Sequence, residues 1–267
     1  MTEYLEEVYR RISRTYSREF LSLVPEPVAS RYREMCRAFF SADSLIGDLV
    51  AGLELAWQEV LLALLGPRPL PSGERAARLA ALGDVAAQIS TCTACPLHGT
   101  RTRPVPGEGH PGARLFLVGE GPGKNEDLKG RPFAGRAGEI LTHLLSLLAL
   151  SRKDVYVTNT VKCRPANGDR DRQPLPHESA ACRGFLKMQL LVVAPDLVVT
   201  LGNTALRWFD PDASVGRVRG QVLELGGWRV YPVYHPASVL YRPELKEELE
   251  GDFLRLPFAL AGVDRCG

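Results

Sequence analysis

The sequence predicts an α/β fold, a three-layer α/β/α sandwich around a central parallel four-stranded sheet, preceded by a helical N-terminal extension. Three observations lead there. Four short apolar, β-rich runs at 115–118, 155–158, 197–201 and 230–234 are separated by stretches of helical periodicity, and strands alternating with helices build a parallel sheet. The first run ends in a glycine-rich turn, Val118-Gly-Glu-Gly-Pro-Gly-Lys-Asn-Glu-Asp127, continued by Gly130-Arg-Pro-Phe-Ala-Gly-Arg-Ala-Gly138. A segment dense in breakers, Gly66-Pro-Arg-Pro-Leu-Pro-Ser-Gly73, separates all of this from a helical N-terminal part.

In chain order, residues 4 to 66 read as helices, with Tyr4, Leu5, Val8 and Ile12 on one stripe and an Ala/Leu-rich run from Ile46 to Leu65 interrupted by Gly47 and Gly52. The linker leads into a short helix at about 74–90. The expected division is an extension of residues 1–85, of unassigned role or docking a protein partner, and a domain of residues 86–267. Within that domain the helical patterns fall at 139–149, 177–193 and 203–209. The glycines at 119, 121 and 123 let backbone N–H groups approach a flat or anionic ligand, and a helix start just beyond adds positive partial charge.

At 267 residues and 45% hydrophobic content the chain can bury a full core. Its start, Met1-Thr-Glu-Tyr-Leu-Glu-Glu, is unlike a secretory leader and no apolar run approaches a membrane span, so a cytoplasmic, nucleoid-associated monomer is expected. The net charge of +2 is unevenly spread. Residues 1–91 hold 10 Lys plus Arg against 12 Asp plus Glu (−2), and residues 92–267 hold 23 against 19 (+4), which points toward an anionic partner for the second part.

In an open α/β sheet, ligands bind beyond the carboxyl ends of the strands. The residues there are Gly119-Glu-Gly-Pro-Gly123, Asn159, Gly202-Asn203 and His235-Pro-Ala237. Singly, each has a plain explanation as a turn, a cap or a loop histidine; together they mark one edge of the sheet. The cysteines form a second constellation: Cys92 and Cys95 as C-x-x-C, then Cys163 and Cys182 singly, with Cys36 and Cys266 apart. Four thiolates suit a structural zinc or an iron–sulfur cluster. A four-cysteine zinc ribbon usually has two C-x-x-C knuckles, and the lack of a second leans toward iron–sulfur.

The succession Cys92-x-x-Cys95, Gly119-Glu-Gly-Pro-Gly-x-x-Glu-Asp127, Gly130-x-Pro-Phe-x-Gly-Arg-Ala-Gly138, Val157-Thr-Asn-x-Val-Lys-Cys-Arg-Pro165, Ala181-Cys-Arg183 and His235-Pro-Ala237 resembles the family 4, iron–sulfur, uracil-DNA glycosylases. The resemblance runs from about Cys92 to Pro243 and leaves residues 1 to about 85 uncovered. It implies a [4Fe–4S] cluster on Cys92, Cys95, Cys163 and Cys182, uracil-containing DNA, single- or double-stranded, as substrate, and hydrolysis of the N-glycosidic bond in base excision repair. It also implies that Phe133 stacks on the uracil and that Asn159 reads its O4 and N3–H edge. Gly119 and Gly121 would line the pocket, His235 would stabilise the departing base at O2, and Glu120 would position water or balance charge on the sugar.

The chain departs from the family pattern at two places. Gly121 replaces a usual alanine, which would loosen that wall of the pocket. The usual Leu-Leu-Arg run reads Val239-Leu-Tyr-Arg242, leaving Leu240 as the candidate wedge and Arg242 as a displaced phosphate contact. Lys162, Arg164, Arg170 and Arg172 are further candidates for DNA phosphates. Two other readings stand beside this one: a P-loop enzyme, opposed by Val118 and Asn125 at positions where the motif needs glycine and a hydroxyl residue, and a non-catalytic metal-cluster DNA-binding module.

Overall fold

A computed structural model describes residues 22, 24–41 and 46–262. The chain divides into two compact units, one running up to Gly66 and resuming at Leu256, the other spanning Pro67–Arg255.

The first unit pairs α1 (Glu26–Ser41) with α2 (Ile46–Leu65), and α11 (Leu256–Ala261) packs on α2. Ala29, Tyr32 and Cys36 of α1 and Val60, Leu61, Leu64 and Leu65 of α2 are buried, so the helical pattern serves a small core. The Tyr32 and Trp57 rings meet at 5.6 Å. Cys36 is a buried free thiol in this core. The stripe Tyr4, Leu5, Val8 and Ile12, and Cys266, lie outside the described residues.

The second unit starts inside the breaker-rich segment. Helix α3 (Ser72–Thr91) is part of it, whereas the expected extension ran to residue 85. The cause is two arginines that the sequence left unassigned. Arg68 donates to Val193 O and, by a very short contact, to Ala194 O, while Arg78 donates to Val193 O at 2.7 Å and Pro111 O at 3.2 Å. These carbonyls at the end of α6 (Pro176–Val193) lack helical partners, and a guanidinium is a natural cap for them.

The central sheet has six strands in the order β1-β3-β2-β6-β8-β7. Its four inner strands, β3 (Tyr156–Asn159), β2 (Leu115–Gly119), β6 (Leu197–Leu201) and β8 (Trp228–Val233), pair in parallel and correspond to the four expected runs. The expected count is corrected by the two antiparallel edges, β1 (Glu108–Gly109) and β7 (Leu223–Leu225), too short to show alternation in the sequence. Every residue of β2, β3 and β6 is buried, as parallel strands covered on both faces require. On one face Phe116, Val118, Tyr156, Val198 and Val230 pack with Leu186, Leu190 and Val193 of α6 and with Ala205 and Leu206 of α7 (Asn203–Phe209). On the other, the Tyr231 hydroxyl donates to Asp252 O of α10 (Leu245–Leu254) at 2.9 Å. A separate hairpin joins β4 (Ala166–Asn167) to β5 (Arg170–Asp171).

This strand order decides where a ligand can sit. The chain passes from β2 outward to β3 and then returns to β6 on the other side of β2, so the loop after β2 lies where the connections diverge. That loop is Gly119-Glu-Gly-Pro-Gly123, followed by α4 (Lys124–Lys129) and α5 (Arg136–Ser146).

Candidate active site and metal centre

Three residues from separate segments meet at the tip of β2. Gly119 ends β2 beside Asn159, which ends β3, and a side chain at Gly119 would stand 2.4 Å from Asn159 Oδ1 and 2.7 Å from Phe133 Cζ. Only glycine admits that approach. Phe133 stacks on His235, with ring centroids 5.7 Å apart and planes 23° from parallel. His235, just beyond β8, is in turn crowded by Gly202, where φ is +91° and a Cβ would lie 3.1 Å from His235 Cβ. Phe133, Asn159 and His235 therefore bound one region, and Asn159 is only 2% exposed.

The two titratable groups here are tuned by burial. It lowers His235 from 6.5 to about 4, so its ring is neutral at pH 7. The Ala237 N–H donates to His235 Nδ1 at 3.1 Å, which leaves the imidazole proton on Nε2. Burial also raises the Glu120 carboxyl above its ordinary value, opposed by a hydrogen bond from the Thr204 hydroxyl to Oε2. Thr204, in the first turn of α7, carries no sequence signal for this contact: the partners are 84 positions apart. The Glu120 carbonyl is fixed by the Thr160 hydroxyl at 2.5 Å, so this residue is held at both backbone and side chain.

Gly121 does not loosen its wall as the sequence suggested. A Cβ there would meet Val161 Cγ2 at 2.8 Å and Pro165 Cδ at 3.3 Å, so a neighbouring side chain occupies the space an alanine methyl would need.

The expected phosphate contacts divide sharply. Lys162 is 1% exposed, and its three ammonium hydrogens are spent on Thr158 Oγ1 at 2.7 Å, Asn159 O at 2.7 Å and Gln189 Oε1 at 2.8 Å. It is no phosphate ligand: it braces the turn that carries Asn159, and burial lowers it to about 7. Arg164 is also engaged within the protein, to the exposed hairpin residues Asp171 at 2.6 Å and Asp169 O at 2.9 Å. Arg172 pairs with the buried Glu178 at 2.7 Å. Arg170 and Arg242 are exposed. Leu240 is half-buried on the short helix α9 (Ser238–Tyr241), while the neighbouring Tyr241, passed over in the sequence, is 84% exposed.

The cysteines converge elsewhere. Cys92 closes α3, Cys95 opens a 3₁₀ turn (Pro96–Gly99), Cys163 follows the Asn159 turn and Cys182 sits in α6. All four line one cavity, together with Ile89, Arg101, Lys162 and Phe185. Burial pushes the Cys182 thiol up to about 11, opposed by the backbone and charge of Lys162, and raises Cys163, opposed by Arg101. Arg101 Nη1 lies 3.1 Å from Cys163 Sγ. Among the described residues no three His, Cys, Asp or Glu side chains gather closely enough for one metal ion. Four soft thiols lining one cavity, with Arg101 and Lys162 beside them, are the donor set here that could hold an anionic metal group.

Comparison with known proteins agrees with this arrangement. Residues 106–255 match the family model of the Uracil DNA glycosylase superfamily. The chain is 44% identical over 184 residues to a type-4 uracil-DNA glycosylase of Archaeoglobus fulgidus, covering 66% of this chain and 91% of that protein. It is 48% identical over 159 residues to one of Thermotoga maritima, covering 58% and 81%. A type-5 uracil-DNA glycosylase of Pyrobaculum aerophilum is 33% identical over 181 residues, covering 60% and 77%. A chain more than half of which fits the superfamily model, and which spans nine-tenths of a type-4 relative at such identity, belongs to the uracil DNA glycosylase superfamily and within it to the type-4 uracil-DNA glycosylases.

Proposed function

We propose that this protein is a uracil-DNA glycosylase that extrudes uracil from DNA and hydrolyses its N-glycosidic bond, initiating base excision repair. The observation that carries this reading is the meeting of Phe133, Asn159 and His235 around the side-chain-free tip of β2. Flipping a base costs a few kcal/mol, and the pocket must return it. Phe133 offers a stacking face, on the scale of roughly 1–3 kcal/mol per base. Asn159 offers a donor and an acceptor whose pattern matches uracil and mismatches cytosine, which would leave buried groups unpaired.

The C1′–N1 bond breaks with its electron pair leaving on the base, the oxygen of water bonds to C1′, and the proton which that oxygen loses neutralises the uracil anion, directly or through solvent. His235, neutral with its proton on Nε2, donates to O2 of the departing anion without becoming an acid itself, and backbone N–H groups near Gly121 add to the same stabilisation. Glu120, aimed by Thr204, faces the sugar side, where a carboxylate orients water or offsets oxocarbenium charge.

Cys92, Cys95, Cys163 and Cys182 hold a [4Fe–4S] cluster in this reading. The cluster's contribution is structural: it ties α3, α6 and the turn carrying Asn159 to one point. DNA is the partner. Arg242 and the exposed Tyr241, more accessible than Leu240 and six to seven positions past His235 in the chain, are the groups that meet it, Tyr241 filling the gap left by the flipped base. No helix among the described residues is long and apolar enough to cross a membrane. We assign the protein to the cytoplasm, in contact with the nucleoid, as a monomer, with residues 1–85 as the part that docks a protein partner.

The test is incubation of protein carrying its full visible absorbance with a uracil-containing oligonucleotide, followed by alkaline cleavage at abasic sites. Cleavage at the uracil position alone is expected. Intact, loaded protein that bound DNA and released no base would instead favour a non-catalytic metal-cluster DNA-binding module.

A further inference from the structure

Phe133 occupies a backbone conformation that a bulky residue rarely takes. Its φ is +51°, in the left-handed region, where a bulky non-glycine residue is strained and stays only because its surroundings hold it there. Two groups of opposite charge surround that turn. On its carbonyl side, Arg152 donates from Nη2 to Pro132 O at 2.5 Å and from Nη1 to Phe133 O at 3.1 Å. On its amide side, Glu126 Oε1 accepts from Ala134 N at 2.7 Å and Gly135 N at 3.0 Å. Arg152 is itself anchored by Glu108, on edge strand β1, through Nη2 at 3.0 Å and Nε at 3.3 Å. Gly138 completes the fit, since a Cβ there would stand 1.8 Å from Phe133 O.

We infer that Arg152, locked by Glu108, is a positioning residue that holds the Phe133 ring in register with Asn159 and His235 and so sets how well the pocket accepts uracil. The inference rests on the reading of Phe133 as the platform for the base. A guanidinium is needed because it presents donors from three separate nitrogens in a rigid planar fork, which here meet two successive carbonyls and one carboxylate; a lysine ammonium offers only one nitrogen on a shorter-reaching head and does not reproduce that fork. The ring has little tolerance for movement, with Gly119 on one side and the His235 ring at 5.7 Å on the other. A shift of about 1 Å in a positioned group can cost on the order of 100-fold in rate.

The experiment compares Arg152→Gln, Arg152→Lys, Phe133→Ala and the Phe133→Ala/Arg152→Gln double variant, each checked for melting temperature and cluster absorbance. Arg152→Gln is expected to lower kcat about 10–100-fold and to raise the inhibition constant of free uracil comparably, with KM for DNA little changed because phosphates dominate DNA affinity. Arg152→Lys should resemble Arg152→Gln. Within the Phe133→Ala background the same substitution should add less than about twofold, the two residues acting as one unit.

An unchanged uracil inhibition constant, full rescue by lysine, or a loss that persists undiminished in the Phe133→Ala background would each overturn the inference while leaving the platform intact. Full activity of Phe133→Ala itself would remove the platform and the inference with it. Should Arg152→Gln fail to fold, Glu108→Gln, which loosens the anchor from the far side, is read by the same two constants.

Discussion

Acidification should leave His235 untouched across the range where histidines ordinarily titrate. Burial lowers its pKa from 6.5 to about 4. At pH 5.5 an ordinary imidazole is roughly nine-tenths protonated, while one titrating at about 4 is only about 3% so. The hydrogen bond from Ala237 N fixes the neutral proton on Nε2, the atom free to face the base. Stability follows the same proton. The unfolded ring takes it up near 6.5 and the folded ring resists until about 4, so the fold is weakened progressively between those limits, by at most about 3 kcal/mol at 1.36 kcal/mol per unit. Nitrogen-15 NMR of the imidazole reads protonation and tautomer directly and is not confused by titration of Glu120. Denaturation against pH, for the protein and for His235→Ala, should show that the variant loses this slope. In activity, His235→Ala should cost about 100- to 1000-fold, the scale for one donor to a developing oxyanion. An NMR midpoint near 6.5, or a neutral ring protonated on Nδ1, would refute the reasoning.

Gly121→Ala restores the residue usual in the family, yet it should destabilise this chain by about 1–3 kcal/mol through overpacking against Val161, a loss that Val161→Ala in the same chain should partly relieve in thermal unfolding. Lys162→Met should lower the melting temperature by removing the donor shared by Thr158 Oγ1, Asn159 O and Gln189 Oε1, at roughly 1–3 kcal/mol for a buried group left unpaired, without altering the salt dependence of DNA binding. Arg242→Ala should instead reduce the slope of log affinity against log salt by about one and leave stability unchanged. Tyr241→Ala should slow removal of uracil from double-stranded DNA more than from single strands, where no gap in a stack needs filling; equal effects on both substrates would return the wedge to Leu240. Cys163→Ala should abolish the visible absorbance and lower stability before any direct effect on chemistry, because the thiol lies on the turn carrying Asn159; unchanged absorbance and fold would disprove the ligand assignment.

The parallel core and the strand-tip residues were readable in the sequence because both depend on neighbours in the chain. An apolar run of four or five residues announces a buried strand, and the topological rule then points to whatever follows it, which is how Gly119, Asn159 and His235 were found. The edge strands β1 and β7 are too short to carry a period; the breaker-rich segment from Gly66 to Gly73 announces where the second unit begins, but not that Arg68 and Arg78 tie the helix after it to carbonyls at the end of α6, more than a hundred positions away. Gly121 is opaque in the sequence for a related reason. A missing methyl suggests a void, but whether a void exists depends on Val161, which comes in from a different segment.

The basic residues show most plainly what a linear reading lacks. Lys162, Arg164, Arg172 and Arg242 look alike as a scatter of cations near a DNA site, yet the fold assigns them different work. A cation is available to a phosphate only if no acceptor inside the protein has already claimed it, and a buried one must have every donor satisfied to be tolerated at all. Thr158, Asn159 and Gln189 claim Lys162; Asp169 and Asp171 claim Arg164; Glu178 claims Arg172. Arg152 follows the same logic toward a different end, since the acceptors claiming it are the carbonyls of the turn that aims Phe133. Lys162 and Arg152 are thus held by the turns that carry Asn159 and Phe133, whereas Arg170 and Arg242 are exposed and are the cations that the proposed function offers to DNA phosphates.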